Sequence, residues 1–436
     1  MSLSRRCLVL VTTTSYRTDA FLEAARRLGG QVVIGSDRCH QLAELWPDDA
    51  FKGAFDNSIQ LDYRDPENAA ARIVSAARDK RIDAVVATDD TTAVVAALAA
   101  RALGLRGNDP AATQAARNKA EMRRRLRAAG VSAPTALVFE HDAPAAEIAA
   151  AVVADFGFPC VVKPLLLSAS RGVIRADDET GLFAALARAG AILRTHGEFA
   201  DNKDPDWRRI LVEAFVPGFE VAVEGLLRRG ALRTLAIYDK PDPLDGPFFE
   251  ETIYVTPSRH PVALQQAIER TTADAARALG LSEGPIHAEL RCGPDGPQLI
   301  EIAARSIGGL CARTLRFTLG GDGGHALEEL VLRRALDLDG PGDDALKGAT
   351  LAAGVMMIPV PHGGVLRAVD GVEDARQVPL VEDVVITARP GEHLVPLPEG
   401  SSYPGFIFAR GEDPASVERA LREAYAKLRF TITPLL

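Results

Sequence analysis

The sequence predicts a protein of mixed α/β and α+β class, and three features of the chain predict it. The first hundred or so residues alternate short apolar runs with stretches of helical spacing. From Arg209 the pattern turns β-rich, and from Thr350 short strands recur before a closing helix. A chain of 436 residues has room for about three domains of ordinary size.

In order, Cys7–Val11 reads as a strand. Thr18–Leu28 carries apolar residues at helical spacing and stops at Gly29-Gly30. Gln31–Ile34 is a second strand, running out in Gly35-Ser36-Asp37. Pro66–Asp79 reads as a helix, Ala84–Ala87 as a strand ending in Thr88-Asp89-Asp90, and Thr91–Leu103 as a helix stopped by Gly104. This rhythm is that of a parallel sheet with helices on both faces, whose ligands bind beyond the carboxyl ends of the strands. The loop 12–17 and Thr88-Asp89-Asp90 are therefore expected to face a cleft. Asp109–Ala129 reads as one charged helix, followed by Gly130 and Pro134. Phe158–Pro164 gives a short strand, and the polar stretch Gly197–Trp207 reads as a mobile insertion. Ile210–Phe215, Glu220–Leu227 and Leu232–Tyr238 are strand-like. Ile286–Arg291 and Gln298–Ile302 flank the turn Cys292-Gly293-Pro294-Asp295-Gly296-Pro297. His325–Leu336 reads as a helix, Asp337–Leu346 as a linker and Pro414–Leu428 as the last helix.

Composition narrows the function. Hydrophobic residues make up 47% and charged residues 25%, the balance of a globular chain. The net charge is −9 with no basic stripe, which argues against nucleic acid. Cys7, Cys39, Cys160, Cys292 and Cys311 are odd in number and form no CxxC pair, as expected of reduced thiols rather than disulfides or a zinc site. No apolar run reaches 18 residues, and Cys7–Val11 is too short for a signal segment. A cytoplasmic chain without membrane contact is expected.

Several residues could carry chemistry. Lys119, alone, reads as one more cation on a solvated helix face. Lys163 ends a buried strand, where lysine is uncommon unless it meets an anion. Ser168-Ala169-Ser170-Arg171-Gly172-Val173 follows, either a plain turn or small residues whose amides and hydroxyls approach phosphate. Glu213, Ala214, Phe215, Val216 and Glu220 span a Pro-Gly connector between strands. It is either a hairpin with two exposed glutamates or a connector that presents backbone groups to a ring edge and Glu220 to a sugar. Glu289 and Glu301 flank the Asp295 turn almost symmetrically, so an antiparallel hairpin makes them cross-strand neighbours. Either this is a solvated sheet face, or the two like charges repel unless a cation lies between them, and oxygen ligands alone favour Mg²⁺. Arg305 follows Glu301 by four residues, at the mouth of the same site, where a guanidinium suits a phosphoryl group or an oxyanion. Gly308 and Gly309 let the chain pass close to a ligand. His287 lies on the face of Glu289. It is either a hydrogen-bonded structural residue, the default for a lone strand histidine, or one that orients a carboxylate or acts on substrate. Lys240 ends a strand before an acidic loop containing Glu251.

In this order, Asn118-Lys119, Val162-Lys163-Pro164, the Ser/Gly loop, Val212-Glu213 with Gly218-Phe219-Glu220, and Glu289, Glu301 and Arg305 resemble the ATP-grasp superfamily. Phe249-Glu250-Glu251-Thr252, Val255-Thr256-Pro257-Ser258 and Ile286-His287-Ala288-Glu289-Leu290 are similar to its L-amino-acid ligase and carbamoyl-phosphate-synthetase-like branch. The resemblance implies a Rossmann-like pre-ATP-grasp domain (1–113), a two-lobed ATP-grasp core (114–336) and a C-terminal lid-like domain (337–436). It implies ATP and Mg²⁺ as cofactors, with Mn²⁺ an acceptable substitute. Lys119, Lys163 and the loop bearing Ser168, Ser170, Arg171 and Gly172 meet the phosphates. Glu213 and the backbone of Ala214 to Val216 meet adenine, Glu220 the ribose, and Glu289 and Glu301 the metal. Arg305, with Lys163 and Lys240, does the chemistry. Glu251, His287, Ser306, Gly308, Gly309 and Arg313 (or Arg316) line the substrates. One position departs: many members carry Asn two residues after the second metal glutamate, and here Ala303 stands there. The expected reaction joins a small carboxylic acid to an amine through an acyl phosphate, in a chain for which a homodimer is a family-level expectation. The rivals are a biotin-carboxylase-like or carbamate-forming enzyme, which lacks a Met-Lys-Met carrier segment here, and a non-catalytic nucleotide-binding protein. A dehydrogenase is disfavoured because Val11-Thr12-Thr13-Thr14-Ser15-Tyr16 holds no glycine.

Overall fold

The computed structural model describes residues 5–12, 18–37, 58–338 and 346–435. Strands β1 (Arg6–Val11), β2 (Gln31–Ser36), β3 (Ile59–Gln60) and β4 (Ala84–Ala87) form a parallel sheet in the order β3-β2-β1-β4. Its apolar runs are buried on both faces, as a parallel sheet demands. Leu8, Leu10 and Val33 pack with Ile73, Val95 and Ala99 of the helices Pro66–Ala76 and Asp90–Ala102. Cys7, Val9 and Val11 share one apolar cluster with Tyr238, Tyr254 and Phe406 from later in the chain. The first domain is thus packed into the rest.

The expected helix Asp109–Ala129 is two helices, Pro110–Arg117 and Lys119–Ala128. Asn118 separates them with extended backbone, and its Oδ1 accepts from Ala120 N at 3.0 Å and Glu121 N at 3.2 Å. An asparagine N-cap that satisfies two amides competes with continuing the helix. The next lobe is an antiparallel sheet, β5 (Ala136–Glu140), β8 (Arg209–Ala214), β6 (Cys160–Pro164) and β7 (Ile174–Ala176), in that spatial order. Helices Ala145–Asp155 and Glu179–Thr195 cover it. The polar stretch read as a mobile insertion forms the helix Gly197–Asp201 and the 3-10 turn Pro205–Arg208. Trp207 anchors it in the lobe's core and stacks on His196 at 4.9 Å.

The second lobe is antiparallel: β9 (Phe219–Arg228), β10 (Ala231–Lys240), β11 (Ile253–Thr256), β12 (Glu283–Gly293) and β13 (Gly296–Ala303) run β13-β12-β9-β10-β11. The sheet then continues through Ala352–Met357, Gly405–Gly411 and Val381–Ile386, eight strands in all. Helix Val262–Leu279 covers one end and Pro414–Lys427 the other. Among the described residues no helix is long and apolar enough to cross a membrane. Cys7, Cys160 and Cys292 are free and buried, Cys311 is buried, and Cys39 lies outside the described residues.

Candidate active site

All three parts of the chain line one cavity of about 610 Å³. Thr12, Thr88, Asp89 and Asp90 come from the parallel-sheet domain, and Ser401, Ser402, Tyr403 and Phe406 from the C-terminal part. Thr12 and the Thr88-Asp89-Asp90 strand end therefore face the cleft; residues 13–17 lie outside the described residues.

Lys119 does not sit on a solvated face. It is 7% exposed, and its Nζ donates to Leu167 O at 2.6 Å. Lys119, Met122, Arg123 and Leu126 form the buried stripe of their helix, at i, i+3, i+4 and i+7. Arg123, which sequence reasoning missed among its neighbouring arginines, donates through Nε at 3.0 Å and Nη2 at 2.8 Å to Glu213 Oε2. Its Nη2 also reaches Ile300 O of β13 at 2.7 Å, tying the two lobes together. Glu213 binds Lys163 as well. Burial alone would raise the Glu213 carboxyl, but Arg123 and Lys163 outweigh it and hold it low. Neither Glu213 nor Glu220 is an exposed hairpin residue.

Next to Lys163 the loop 168–173 runs through left-handed backbone at Ala169 (φ 54°), Ser170 (φ 55°) and Gly172 (φ 74°). A Cβ on Gly172 would stand 2.7 Å from Pro164 Cγ, so glycine is required there. Gly172 N donates to Pro398 O at 2.8 Å, and Arg188 binds Glu399 through two bonds of 2.6 and 2.9 Å. The C-terminal loop thereby touches the first lobe. In the connector, the amides of Ala214 and Phe215 donate to Thr135 O at 2.9 Å and Pro159 O at 3.0 Å. Phe215 lies between the guanidinium groups of Arg175 and Arg291, at 4.2 and 5.0 Å from its ring centre.

The acidic side is built on β9, β10 and the β12-β13 hairpin. Glu289 stands directly opposite Glu301, as the turn spacing predicts, with a register shift just after Glu289. Glu220, Glu251 and Glu289 each offer a carboxylate oxygen within 4.8 Å of the others. Lys240 lies among them, 2.6 Å from Glu220, bonded to Glu251 and 3.6 Å from Glu289. Burial opposes its charge, but the carboxylates more than compensate and hold it protonated. Burial and the neighbouring Glu289 push the Glu251 carboxyl up. His287 is held by Glu224 at 3.2 Å and Glu289 at 3.4 Å, which outweigh burial and lift its pKa to about 9. Arg291, also missed, is buried and binds Leu244 O at 2.8 Å, Gly218 O at 2.6 Å and Glu220 at 3.4 Å. Its signal was strand alternation: it is two residues beyond Glu289, on the same face.

Arg305 lines the cavity, and its partner is Asp90 of the first domain, at 2.9 Å. The structure brings together Lys119, Lys163, Ser168, Ser170, Glu213, Ala214, Phe215, Val216, Glu220, Glu251, His287, Glu289, Glu301, Arg305, Gly308 and Gly309 around the cavity. It leaves five expected residues off that wall. Lys240 lies beneath the carboxylates, Ser306 is fully buried, and Gly172 packs on Pro164. Arg171 turns toward Thr195, at 3.5 Å. Arg313 is a correction of another kind: it pairs with Asp383 at 2.8 Å and lies over Phe408 at 4.3 Å, because a carboxylate and a ring from the C-terminal strands claim its guanidinium. Arg316 is exposed.

Comparison with known proteins agrees with this layout. Three family models match in order: an ATP-grasp N-terminal domain over residues 22–107, an ATP-grasp domain over 156–314, and L-amino acid ligase C-terminal domain 2 over 356–433. The crystal structure of the L-amino acid ligase from Bacillus licheniformis matches with a TM-score of 0.79 at 27% identity, covering 100% of both chains. Carnosine synthase 1 of Gallus gallus is 29% identical over 358 residues, 79% of this chain and 37% of its own. Alanine–anticapsin ligase of Bacillus subtilis is 27% identical over 265 residues, 57% of this chain and 53% of its own. The chain thus spans about half, or less, of the length of these two named ligases.

Proposed function

We propose that this chain, which belongs to the ATP-grasp superfamily and whose named relatives are C–N ligases, is an ADP-forming carboxylate–amine ligase that activates an acid as its acyl phosphate. The observation that carries the reading is that one cavity is lined both by cations, Lys119 and Lys163 with Arg123 behind them on Glu213, and by the carboxylates of Glu220, Glu251, Glu289 and Glu301.

ATP is a substrate of this reaction. Lys119, Lys163 and the amides and hydroxyls of 168–173 suit its phosphates. With the amides of Ala214 and Phe215 already bonded, Val216 is the connector residue left to meet the adenine edge. The acidic wall fits Mg²⁺: its donors are all carboxylate oxygens, and those of Glu220, Glu251 and Glu289 lie close enough together to share one ion. Glu289 and Glu301 would hold it, with Glu220 and Glu251 alongside. When bound, Mg²⁺ supplies charge neutralisation for the phosphates. Ala303 offers it no ligand, and the residue paired across the hairpin from Ala303 is His287, whose Nε2 faces Glu289 and fixes that carboxylate.

The acid's carboxylate attacks the γ-phosphorus in line, and ADP leaves. Lys163 and Arg305 offset the charge that develops. The amine then attacks the acyl carbon, Arg305 stabilises the oxyanion, and phosphate departs. Gly308 and Gly309 leave room for the reacting groups, and the loop pair 168–173 and 396–403 keeps water away. Small carboxylic acids and amines are the partners of this reading, and the chain works in the cytoplasm.

The test is ADP release from Mg²⁺ and ATP across a panel of carboxylic and amino acids, with product masses and Glu301→Ala as control. Release that requires both an acid and an amine, yields a condensed product and disappears in the variant is the expected result. A chain that binds ATP and never releases ADP in response to any acid and amine would be a nucleotide-binding protein without ligase activity.

A further inference from the structure

The domain that carries neither the glutamates nor the lysines nonetheless reaches the reacting end of the cavity. Arg305 sits two residues past the end of β13, on the wall between Ala303 and Ile307. Its Nε and Nη2 both donate to Asp90 Oδ2, at 3.2 and 2.9 Å, and its Nη1 donates to Ser306 O at 3.2 Å. A guanidinium has five N–H donors. Two therefore remain for the cavity, and their direction is set by the three that are bound.

The chain around Asp90 is pinned. Asp90 is the first residue of the helix Asp90–Ala102, at the end that favours a carboxylate. Asp89 caps that helix, with Oδ1 accepting from Thr92 N at 3.0 Å, and Thr12 donates to its Oδ2 at 3.0 Å. Bonding the cap to Thr12, next after β1, fixes the backbone from which the Asp90 carboxylate projects. Burial alone would raise the Asp90 carboxyl, but Arg305 foremost, with Lys119 and Arg117 beyond it, keeps it ionised. The contact spans 215 positions of sequence.

We propose that Asp90 is the positioning residue for Arg305: one carboxylate oxygen from the N-terminal domain fixes the guanidinium so that its two remaining N–H groups face the phosphoryl group and the developing oxyanion. This rests on the ligase reading and extends it. The parallel-sheet domain becomes a working part of the reaction, in addition to walling the cleft. Asp90 touches no reacting atom in this scheme and acts through Arg305.

The test compares wild type with Asp90→Asn, Asp90→Glu, Arg305→Lys and the double variant Asp90→Asn/Arg305→Lys, in the full chain. Asparagine keeps the size of the side chain and removes its charge. Asp90→Asn should lower kcat of acid- and amine-dependent ADP release by roughly 10- to 100-fold, the range seen when partners that orient metal ligands are removed. KM for ATP should stay within about twofold, because Arg305 is not assigned to the nucleotide's ground state. Asp90→Glu, which restores the charge on a longer arm, should recover part of the loss. The double variant should be no slower than Arg305→Lys, since a positioning residue has nothing left to position. A purely structural weld would instead lower melting temperature and all rate and binding constants together, with additive losses, and that pattern overturns the proposal. Asp90→Asn at full kcat overturns it too, while the ligase reading stands. No acid-dependent ADP release from wild type overturns the ligase reading and the clamp with it.

Discussion

Two ion clusters border the same cavity, and they are unbalanced in opposite senses. Around Glu213, two cations, Lys163 and Arg123, share one carboxylate. Around Lys240, the excess is negative: Glu220, Glu251, Glu289 and Glu301 stand against Lys240, Arg291 and His287. Glu213 and its two cations are nearly inaccessible, whereas the Glu251 and Glu289 side chains are 19% and 22% exposed at the cavity wall. A fold tolerates such an imbalance when a ligand of the missing sign completes each side. On the function proposed above, the first cluster takes an anion and the second a divalent cation, together a metal–nucleotide. Either cluster alone would pass for a structural ion pair; the information is in the pairing.

Variants separate the two clusters, and the largest effect should fall on the acidic one. Glu289→Ala should reduce kcat/KM at least roughly 1,000-fold, or about 4 kcal/mol of transition-state stabilisation. Steady-state ADP release would check it, with EDTA mimicking the loss in wild type and added Mg²⁺ reversing it there but not in the variant. On the basic side the cost should appear in the fold. Glu213→Ala strands Lys163 and Arg123 without a counter-charge and should destabilise the protein by about 3 kcal/mol in denaturant titration. Glu251→Gln should behave oppositely: it removes one charge from an over-acidic group, leaves Lys240 with Glu220, and should be neutral or stabilising by up to about 1 kcal/mol without Mg²⁺. A clear loss of stability there would mean that the acidic cluster is balanced after all.

The smallest effect belongs to an exposed pair that serves as the reference for both clusters. Glu121 binds Arg124 and Arg125, both at 2.7 Å, and those bonds lower its carboxyl to about 2. Its folded pKa lies below the unfolded one, so the stabilisation is present at neutral pH. It is lost as pH falls from the ordinary carboxylate range through about 2. Water screens the pair, and Glu121→Gln should cost only about 0.5 kcal/mol in thermal melts at pH 7, approaching zero near pH 2.

The acidic hairpin was the most legible part of the site. A strong turn flanked by apolar strands sets the register, and Glu289 opposite Glu301 follows from period two. The strand–helix alternation of the first domain was equally readable. Other parts needed the fold. Asn118 ends one helix and caps the next inside a charge pattern that runs on without a break, so composition hid the joint. Arg123 looks like Arg124 and Arg125 until helical phase is counted from Lys119. Arg313 (or Arg316) was expected at the substrate, but no local pattern shows that Asp383 and Phe408 come from a distant strand pair to take Arg313. The Asp90–Arg305 contact is of the same kind, because a contact across 215 positions has no periodicity to reveal it.

The eight-stranded sheet has a consequence for dissecting the molecule. Residue 337 follows the helix Leu327–Ala335 and resembles a place to cut, yet β11 pairs residue for residue with Ala352–Met357 beyond it. A fragment ending there would bare a full strand edge bearing Ile253, Tyr254 and Val255, all nearly inaccessible in the intact chain. Unpaired edges of that kind recruit other copies of themselves, so such a fragment is expected to aggregate as an expression product rather than report on the nucleotide site. The last hundred residues are in this sense half of a shared sheet, and exchanging them between relatives requires matching a strand seam as well as a surface.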